Sequence, residues 1–373
     1  MNKSNSNSPL TAQREPIANS QLLFIIAVAI FVLLYCTAIC FFGDKGFLKP
    51  QTLLTMFNEN AALIIVSCGL TIVMITGGID ISVGAVVALV SISCAKYLQN
   101  GGTIGGSVLI AVGIGLAFGV FQGFLISYLK IQPFIITLAG MFLARGLVTV
   151  VSKEGISLTS DAAGAFMKLK DFRITIDALG STEIKGLTKK EIFTPGTLEV
   201  TVIVALIALI IVAFLLKRTR LGRHFYAIGG SRQSALMLGC NVQSVNFRAY
   251  VISGLLAGIA GYVNLMHKGA GNPTMAAGME MDAIASSIIG GTMLTGGVGN
   301  VFGTLFGVLN LCTIKNIVQV SGISNGGREW WQNITTGGML CIFIVMQSII
   351  LFVRGKSDRK KSDVSDKTRK EGS

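Results

Sequence analysis

The chain has 373 residues, of which 51% are hydrophobic and only 13% are charged. A soluble domain carries about a quarter charged residues, so this composition excludes a single soluble domain and indicates a membrane protein. The formal net charge is +13, but the basic residues lie in short segments between apolar runs, a pattern that sets membrane topology and does not indicate a nucleic-acid partner.

Apolar runs of about 20 residues, the length that crosses a bilayer as a helix, divide the chain into spans. The candidate spans are residues 22–42, 61–76, 81–98, 108–129, 134–151, 198–216, 247–266, 283–294, 301–318 and 334–353. The run at 283–294 is too short to cross alone. The sequence predicts an all-α, polytopic membrane protein with about ten transmembrane helices, in which residues 22–353 form the transmembrane domain.

The charged connections predict the orientation of the chain. Residues 217–248 and the tail 354–373 are rich in Lys and Arg, so both should be cytoplasmic. Residues 152–199 form a long polar segment of mixed charge, which the alternation of spans places outside. The amino-terminal segment 1–21 is then cytoplasmic, and both termini lie on the same side.

Two glycine-interrupted stretches lie between spans. Residues 76–84 read Thr-Gly-Gly-Ile-Asp-Ile-Ser-Val-Gly, and residues 295–303 read Thr-Gly-Gly-Val-Gly-Asn-Val-Phe-Gly. Unwound backbone at membrane depth is tolerated only where it lines a cavity or is buried in protein, so helices broken at these segments indicate a transport pathway. The predicted topology puts both stretches on the cytoplasmic side.

Asp80, in the first stretch, has two interpretations. A charged side chain at the centre of a membrane helix costs roughly 2.5–3.5 kcal/mol, so the carboxylate must be interfacial, paired or wet. It can N-cap the helix that follows, or it can contact a substrate directly.

Arg145, late in the fifth span, is expected to extend outward along its stem. The candidate pathway residues are Asn58, Asn60, Asp80, Ser82, Thr137, Asn264 and Asn310. Asn58 and Asn60 open the second span, and they can either line the pathway or mark the start of a helix at the membrane interface.

The chain lacks the motifs of an ATPase or a metalloenzyme. No complete Gly-x-x-x-x-Gly-Lys-Ser/Thr phosphate loop occurs, and His224 and His267, the two histidines, are predicted on opposite sides of the membrane. The seven cysteines have no metal-site spacing. The sequence therefore predicts no catalytic residue, metal site or cofactor on this chain.

Residues 76–84 resemble the signature of the permease family of ATP-binding-cassette sugar importers that includes the ribose and xylose permeases. The resemblance covers nearly the whole chain in order, through Gly-Arg-His-Phe-Tyr-Ala-Ile-Gly-Gly at 222–230, Ala-Ile-Ala at 283–285, Ile-Gly-Gly-Thr at 289–292 and Gly-Gly-Val-Gly at 296–299. Residues 130–141, Lys-Ile-Gln-Pro-Phe-Ile-Ile-Thr-Leu-Ala-Gly-Met, are most similar to the galactofuranose permeases.

The resemblance implies a permease subunit of the bacterial inner membrane that translocates a small sugar by alternating access. Its partners would be a second permease chain, as a homodimer or heterodimer, an ATPase with paired nucleotide-binding domains that holds ATP and magnesium, and an extracytoplasmic sugar-binding protein. The cargo would be a furanose such as galactofuranose, or a pentose. Ribose and a furanose signalling molecule are alternatives within the family.

The basic connection contains a short predicted helix. Ser231 can N-cap a helix from Arg232 to Leu238, and Gly239 can end it in the left-handed conformation. The resemblance implies a coupling helix that docks on the ATPase, whereas the residues alone also allow an amphipathic helix on the bilayer. Its apolar face would consist of Ala235, Leu236 and Leu238.

Two other classes of protein compete with this reading. A secondary transporter usually couples ion and substrate through intramembrane acidic groups, whereas Glu59, Asp80 and Asp282 all fall near predicted span ends. An integral membrane enzyme would need a nucleophile with a base, or a metal cluster, and the sequence offers neither.

Overall fold

The computed structural model describes residues 15–43, 46–185 and 190–321, together with 331, 334–338, 340–342 and 344–345. Within the described residues the chain forms twelve continuous helices and two small antiparallel sheets. The helices are α1 Glu15–Phe42, α2 Pro50–Ile75, α3 Val83–Gln99, α4 Ile104–Ser127, α5 Pro133–Val151, α6 Ser160–Asp171, α7 Val200–Arg218, α8 Arg220–Gly230, α9 Arg232–Met237, α10 Val242–Lys268, α11 Met279–Ile289 and α12 Val301–Val320. The strands are β1 Ile156–Ser157, β2 Arg173–Lys185, β3 Lys190–Glu199 and β4 Ala270–Gly271.

Seven of these helices are long and apolar enough to cross a membrane, namely α1, α2, α4, α5, α7, α10 and α12. The prediction of about ten spans is too high for the described residues. The predicted spans at 81–98 and 283–294 are the shorter helices α3 and α11, of 17 and 11 residues. The predicted span at 334–353 lies largely outside the described residues. The inference that 283–294 cannot cross alone is confirmed.

The helix α2 lies at the centre of the bundle. Every residue from Ala61 to Ile75 is buried, and the helix packs against α7, α10, α11 and α12. A helix that is apolar on all sides is stable only inside a protein or a membrane. The outer helices instead turn large apolar side chains outward, which suits contact with lipid. These include Leu33, Leu109, Phe142 and Phe214.

The helices α4 and α10 pack backbone to backbone. A Cβ on Gly115 would overlap the carbonyl oxygen of Gly254, and a Cβ on Gly258 would overlap that of Ala111. These small residues recur at four-residue spacing on both helices and therefore share one face of each. Such stripes allow close approach of membrane helices, where packing rather than the hydrophobic effect drives association.

The helix α7 joins the two ends of the molecule. The antiparallel hairpin β2–β3 leads into its first residue, and α8 follows its last. We call these the hairpin end and the basic end. The predicted connections 152–199 and 217–248 thus lie at opposite ends, as expected, and their orientation in a membrane stays a prediction. The hairpin and α6 add structure that the all-α prediction did not contain.

The terminal segments are described only in part. Residues 1–14 and the whole basic tail 354–373 lie outside the described residues, so the predicted cytoplasmic placement of both termini is untested. Residues 15–21 form the first turns of α1.

Candidate functional site

Glycines from three distant parts of the chain meet at the basic end. The break between α2 and α3 contributes Gly77, the break between α11 and α12 contributes Gly296 and Gly297, and α8 contributes Gly229. The N–H of Gly297 donates to the carbonyl oxygen of Ile75, the last residue of α2, at 2.9 Å. We call these five residues the glycine junction. The prediction that both glycine-interrupted stretches lie at the same end is confirmed.

The four glycines of this junction cannot be replaced without strain. Gly77, Gly296 and Gly297 have φ angles of 81°, 86° and 75°, in the left-handed region that other residues rarely adopt. A Cβ on Gly229 would overlap the carbonyl oxygen of Ile75 and the nitrogen of Gly297, both backbone atoms. The backbone of α8 therefore touches the end of α2 and the break before α12 directly.

The predicted short helix α9 follows α8 at once, and its capping is confirmed. Ser231 is the N-cap, and its hydroxyl accepts the backbone N–H of Ser234 at 3.2 Å. Gly239 follows in the left-handed conformation with φ of 78°. The N–H of Cys240 then donates to the carbonyl of Ala235 at 3.0 Å, which completes a closed C-terminus.

The apolar face predicted for α9 is divided in two. Ala235 is 1% exposed and packs inward, whereas Leu236 and Leu238 are 56% and 77% exposed. Met237, which the sequence-based face did not include, is 80% exposed beside them. The helix therefore presents an apolar surface of Leu236, Met237 and Leu238 at the tip of the basic end. A contiguous exposed apolar surface of this kind is typical of a docking site or of contact with lipid.

The carboxylate of Asp80 is buried in the break between α2 and α3. Its Oδ1 accepts the backbone N–H and the hydroxyl of Ser82 at 3.0 and 2.7 Å, and its Oδ2 accepts the hydroxyl of Ser253, on α10, at 3.0 Å. The N-cap of α3 is Ser82, so the interpretation of Asp80 as a helix cap is wrong. Asp80 closes a local turn and ties the break to α10. Direct contact with a substrate stays a prediction.

Ser82 extends this buried network to α4. Its hydroxyl lies 2.9 Å from Nε2 and 3.1 Å from Oε1 of Gln122, which the sequence analysis missed. A lone amide within the apolar run of α4 was the available signal, because buried amides seek hydrogen-bond partners. Thr137, on α5, is fully buried, and its hydroxyl donates to the carbonyl of Pro133 in its own helix at 2.9 Å.

The predicted pathway residue Asn58 instead holds the hairpin. Its Nδ2 donates to the carbonyl of Thr197 and its Oδ1 accepts the N–H of Glu199, each at 3.0 Å. Asn60 lies two residues further along α2, where its Nδ2 donates to the carbonyl of Met56 and contacts the sulfur of Cys312. These contacts show interactions between secondary-structure elements, and contact with a substrate stays a prediction for both asparagines.

Glu199 fixes the same hairpin to α10. Its Oε2 lies 2.7 Å from Nδ1 of His267, and Oε1 lies 3.7 Å from a guanidinium nitrogen of Arg173. Burial acts to raise the pKa of Glu199, but the hydrogen bond and charge of His267, with the hydroxyl of Thr201, bring the pKa below its usual value. The charged form is therefore favoured at the hairpin end.

The two remaining predicted residues lie apart from this network. Asn310, on α12, is fully buried, and its Nδ2 donates to the carbonyl of Ala27, on α1, at 3.0 Å. Asn264, on α10, is 6% exposed, and its Nδ2 has no partner within the described residues. Of the seven predicted pathway residues, Asp80 and Ser82 are the two that the described hydrogen bonds bring together.

The expectation that Arg145 extends outward is wrong. Its two terminal nitrogens donate to the carbonyl oxygens of Met275 and Ala276, at 2.9 and 3.0 Å. Ala276 has a φ of 56°, which is strained for a residue with a side chain. A guanidinium presents donors in a fork that suits two neighbouring acceptors. Arg145 thus holds the segment between β4 and α11 in this conformation.

That segment runs back along α3. Gly271, before it, packs against Ile92 and Ala95, while Glu280, after it, packs against Gly84 in the first turn of α3. Its two contact points on α3 are therefore about two helical turns apart, and a helical turn advances about 5.4 Å. The segment covers this distance without forming a helix. Irregular backbone beside a spanning helix is expected only inside protein or along a cavity.

An ion pair that the sequence analysis missed lies beyond this segment. Nζ of Lys315, on α12, lies 2.6 Å from Oδ2 of Asp282, in the first turn of α11. The two side chains are 26% and 23% exposed. A lone lysine within the apolar run of α12 was the signal, because such charges face a cavity or a partner.

Comparison of the sequence with known proteins places the chain among transport proteins. A family model described as the permease component of the branched-chain amino acid transport system matches residues 52–344. An inner membrane ABC transporter permease of Escherichia coli K12 is 38% identical over 330 residues, which cover 87% of this chain and 92% of that protein.

Two relatives carry a sugar in their names. A fructose import permease of Bifidobacterium longum is 34% identical, covering 89% of this chain and 92% of that protein. A ribose import permease of Bacillus subtilis is 32% identical, covering 91% of each chain. No solved structure matches the chain.

Proposed function

The chain belongs to the family of ATP-binding-cassette permeases that includes these ribose and fructose permeases, and we propose that it moves a small sugar across the bacterial inner membrane. It is a multi-pass transport subunit and not itself an enzyme. The proposed cargo is a furanose such as galactofuranose, or a pentose. Ribose or a furanose signalling molecule would use the same route.

The observation that carries the proposal is similarity over 89% and 91% of the chain to two permeases whose names carry a sugar. The furanose part of the proposal rests on the resemblance of residues 130–141 to galactofuranose permeases. A sugar needs such a protein because moving a hydroxyl from water into an alkane-like medium costs about 4–8 kcal/mol. A pathway has to replace that hydration while holding the sugar loosely enough to release it.

The ion pair of Asp282 and Lys315 supports a location for the pathway. Charged groups at membrane depth face water or a partner rather than lipid, and both side chains keep about a quarter of their surface exposed. The pair lies at the start of the half-length helix α11, directly after the irregular segment that Arg145 holds. We place the wall of the pathway on this face of α2, α11 and α12, with a second permease chain closing the other side.

The apolar surface of α9 supports a separate ATPase as the source of energy. Leu236, Met237 and Leu238 stand exposed at the basic end, and α8 connects them directly to the glycine junction. In this proposal the ATPase holds ATP and magnesium, binds this surface and moves α8. Because α8 touches both helix breaks, its movement opens one side of the pathway while the other closes. An extracytoplasmic binding protein delivers the sugar at the hairpin end.

Uptake by the complete complex tests the choice of cargo. The chain is reconstituted in proteoliposomes with the partner permease, ATPase and binding protein that co-purify with it, and ATP is enclosed on the ATPase side. We expect ATP-dependent accumulation of a labelled furanose or pentose, with competition by galactofuranose and by ribose. Accumulation of leucine with no sugar uptake would contradict the proposal.

A branched-chain amino acid is the second candidate cargo, because the matching family model carries that name. An amino acid presents an ammonium and a carboxylate, so its pathway needs charged groups of both signs. Asp282 and Lys315 offer such groups, but they already neutralise each other at 2.6 Å. The same uptake experiment separates the two candidates when leucine and ribose are offered together.

A further inference from the structure

A cavity of about 550 Å³ opens beside the glycine junction at the basic end. Its walls come from the break after α2, the connection between α4 and α5, the end of α8 and the first turns of α10. The volume lies within the range of about 300–1,000 Å³ that is usual for small-molecule sites. The proposed sugar pathway and the docking surface of α9 do not account for the chemistry of its lining.

The lining carries positive charge without negative charge. Lys130 and Arg232 both line the cavity, and none of its lining residues is acidic. Within the described residues, neither forms an ion pair. Lys130, in the turn before α5, also has a φ of 57°, which is a strained conformation for a residue with a side chain. Residues held in such conformations cluster at ligand sites. Both residues are exposed, and two cations that line one cavity suit a phosphate group.

The same cavity offers a hydrogen-bond acceptor and a helix N-terminus. Oδ1 of Asn246, on α10, is buried without a partner among the described residues, although Asn246 lines the cavity. A buried acceptor of this kind calls for a donor such as a ligand hydroxyl. Gln132, the N-cap of α5, makes no side-chain cap and lines the cavity together with Pro133. The uncapped start of a long helix attracts anions.

We propose that this cavity binds a phosphate ester that also carries hydroxyl groups. The phosphate lies between Lys130 and Arg232, near the start of α5, and a hydroxyl donates to Oδ1 of Asn246. Two sources share this chemistry: a soluble sugar phosphate, and the headgroup of an anionic phospholipid such as phosphatidylglycerol. Both present a phosphate ester next to hydroxyl groups, and the cavity opens at the end of the bundle where either could enter.

Occupation of the cavity would act on transport through the glycine junction. Gly77 and Gly229 line the cavity and also belong to the junction, so a bound ligand fixes their separation. This consequence rests on the proposed function. A soluble sugar phosphate is what phosphoryl transfer to the imported sugar would produce, so its binding would reduce import when product accumulates. Binding itself is independent of transport and is measured first.

The first experiment measures binding of a hexose phosphate to the full-length chain in nanodiscs of neutral phosphatidylcholine, by calorimetry. Lys130→Gln removes one cation and Asn246→Ala removes the acceptor. Arg248→Gln is the matched control, because Arg248 lies on the same helix as Asn246, is exposed and does not line the cavity. We expect binding that weakens about ten-fold or more in Lys130→Gln and is unchanged in the control.

The second experiment separates the lipid source from the soluble one. The thermal unfolding midpoint is measured in nanodiscs of phosphatidylcholine with and without added phosphatidylglycerol. If the headgroup is the ligand, the anionic lipid raises the unfolding midpoint of the natural chain and of Arg248→Gln. The rise is much smaller in Lys130→Gln. The proposal is supported if either sugar-phosphate binding or this lipid effect is observed and is weakened in both Lys130→Gln and Asn246→Ala. Absence of both, or equal effects in Lys130→Gln and the control, overturns it.

Discussion

The two ends of the bundle are held together by opposite means. At the basic end, the breaks after α2 and α11 and the end of α8 touch through glycine backbones, and Gly297 bonds directly to Ile75. At the hairpin end, long side chains bridge gaps between elements. They are Asn58 to the hairpin, Glu199 to His267, Arg145 to the segment before α11, and Lys315 to Asp282.

This difference suits the two ends to different tasks. Backbones in contact cannot be compressed, because protein interiors are close-packed and have low compressibility. In the proposed coupling, a movement of α9 therefore reaches the helix breaks through α8 without being absorbed. Long side chains can exchange partners through rotamer changes, so the hairpin end can open and close without unfolding. Substitutions should accordingly have large effects at the basic end and moderate effects at the hairpin end.

Gly229→Ala should break the basic end and have the largest effect. The new Cβ overlaps two backbone atoms that have no room to move, so we expect a loss of about 3 kcal/mol or more of stability. The adjacent Gly230→Ala is the control, because a Cβ there meets nothing within 4 Å. The yield of monodisperse protein and its thermal unfolding midpoint measure the effect. Equal stability of the two variants would show that the junction is not tightly packed.

Leu236→Asp should break the proposed contact between α9 and the ATPase while leaving the fold intact, since Leu236 is 56% exposed. Placing a carboxylate in an apolar groove costs at least about 2 kcal/mol, so co-purification of the ATPase and sugar uptake should both fall. Gln233→Asp, at an exposed position on the same helix, serves as the control. Normal assembly and uptake by Leu236→Asp would mean that α9 lies on the bilayer.

Asp80 lies in the break after α2 but is held by side-chain hydrogen bonds, so its variants sharpen the comparison. Asp80→Ala leaves the donors of Ser82 and Ser253 without their acceptor, at a cost of about 1–3 kcal/mol, so expression and uptake should fall together. Asp80→Asn keeps an acceptor for Ser82, and the Ser253 hydroxyl can turn to accept from the amide, so its effect should be mild. Uptake assays and thermal unfolding measure both variants. Normal assembly of Asp80→Asn with abolished sugar uptake would establish contact with the substrate instead.

Breaking the pair of Asp282 and Lys315 should have the smallest effect on stability, because both side chains are partly exposed. A double-mutant cycle of Asp282→Asn and Lys315→Gln should give a coupling energy of about 1 kcal/mol. Each single variant leaves one charge unpaired on the proposed pathway wall, so we expect slower uptake in the singles than in the double variant. A coupling energy of zero, with unchanged uptake in all three, would remove this face from the pathway.

Features set by neighbouring residues could be predicted from the sequence. The cap at Ser231, the left-handed Gly239 and the short α11 all depend on signals within a few residues. Features set by distant contacts could not. Arg145 bonds to carbonyls about 130 positions away, and Asp80 shares its carboxylate with a hydroxyl 173 positions away. A polar residue in an apolar run indicates that a partner exists, but not which one.

The same limit explains the predicted pathway set. Asn58 and Asn310 were selected because amides are rare in spans, and both hold other elements of the chain. The charged pair at Asp282 was missed because a charge near a span end is ordinary. Only the fold showed that this carboxylate lies in the first turn of α11 and contacts Lys315 on α12.

The dependence of sugar accumulation on the ATPase tests the central claim most directly. Proteoliposomes are prepared with the permease chains and binding protein, with and without the ATPase and enclosed ATP, and proton and sodium gradients are imposed in turn. The account predicts accumulation of the sugar above its external concentration only when the ATPase and ATP are both present. Accumulation driven by an ion gradient without the ATPase would contradict it and would establish a secondary transporter.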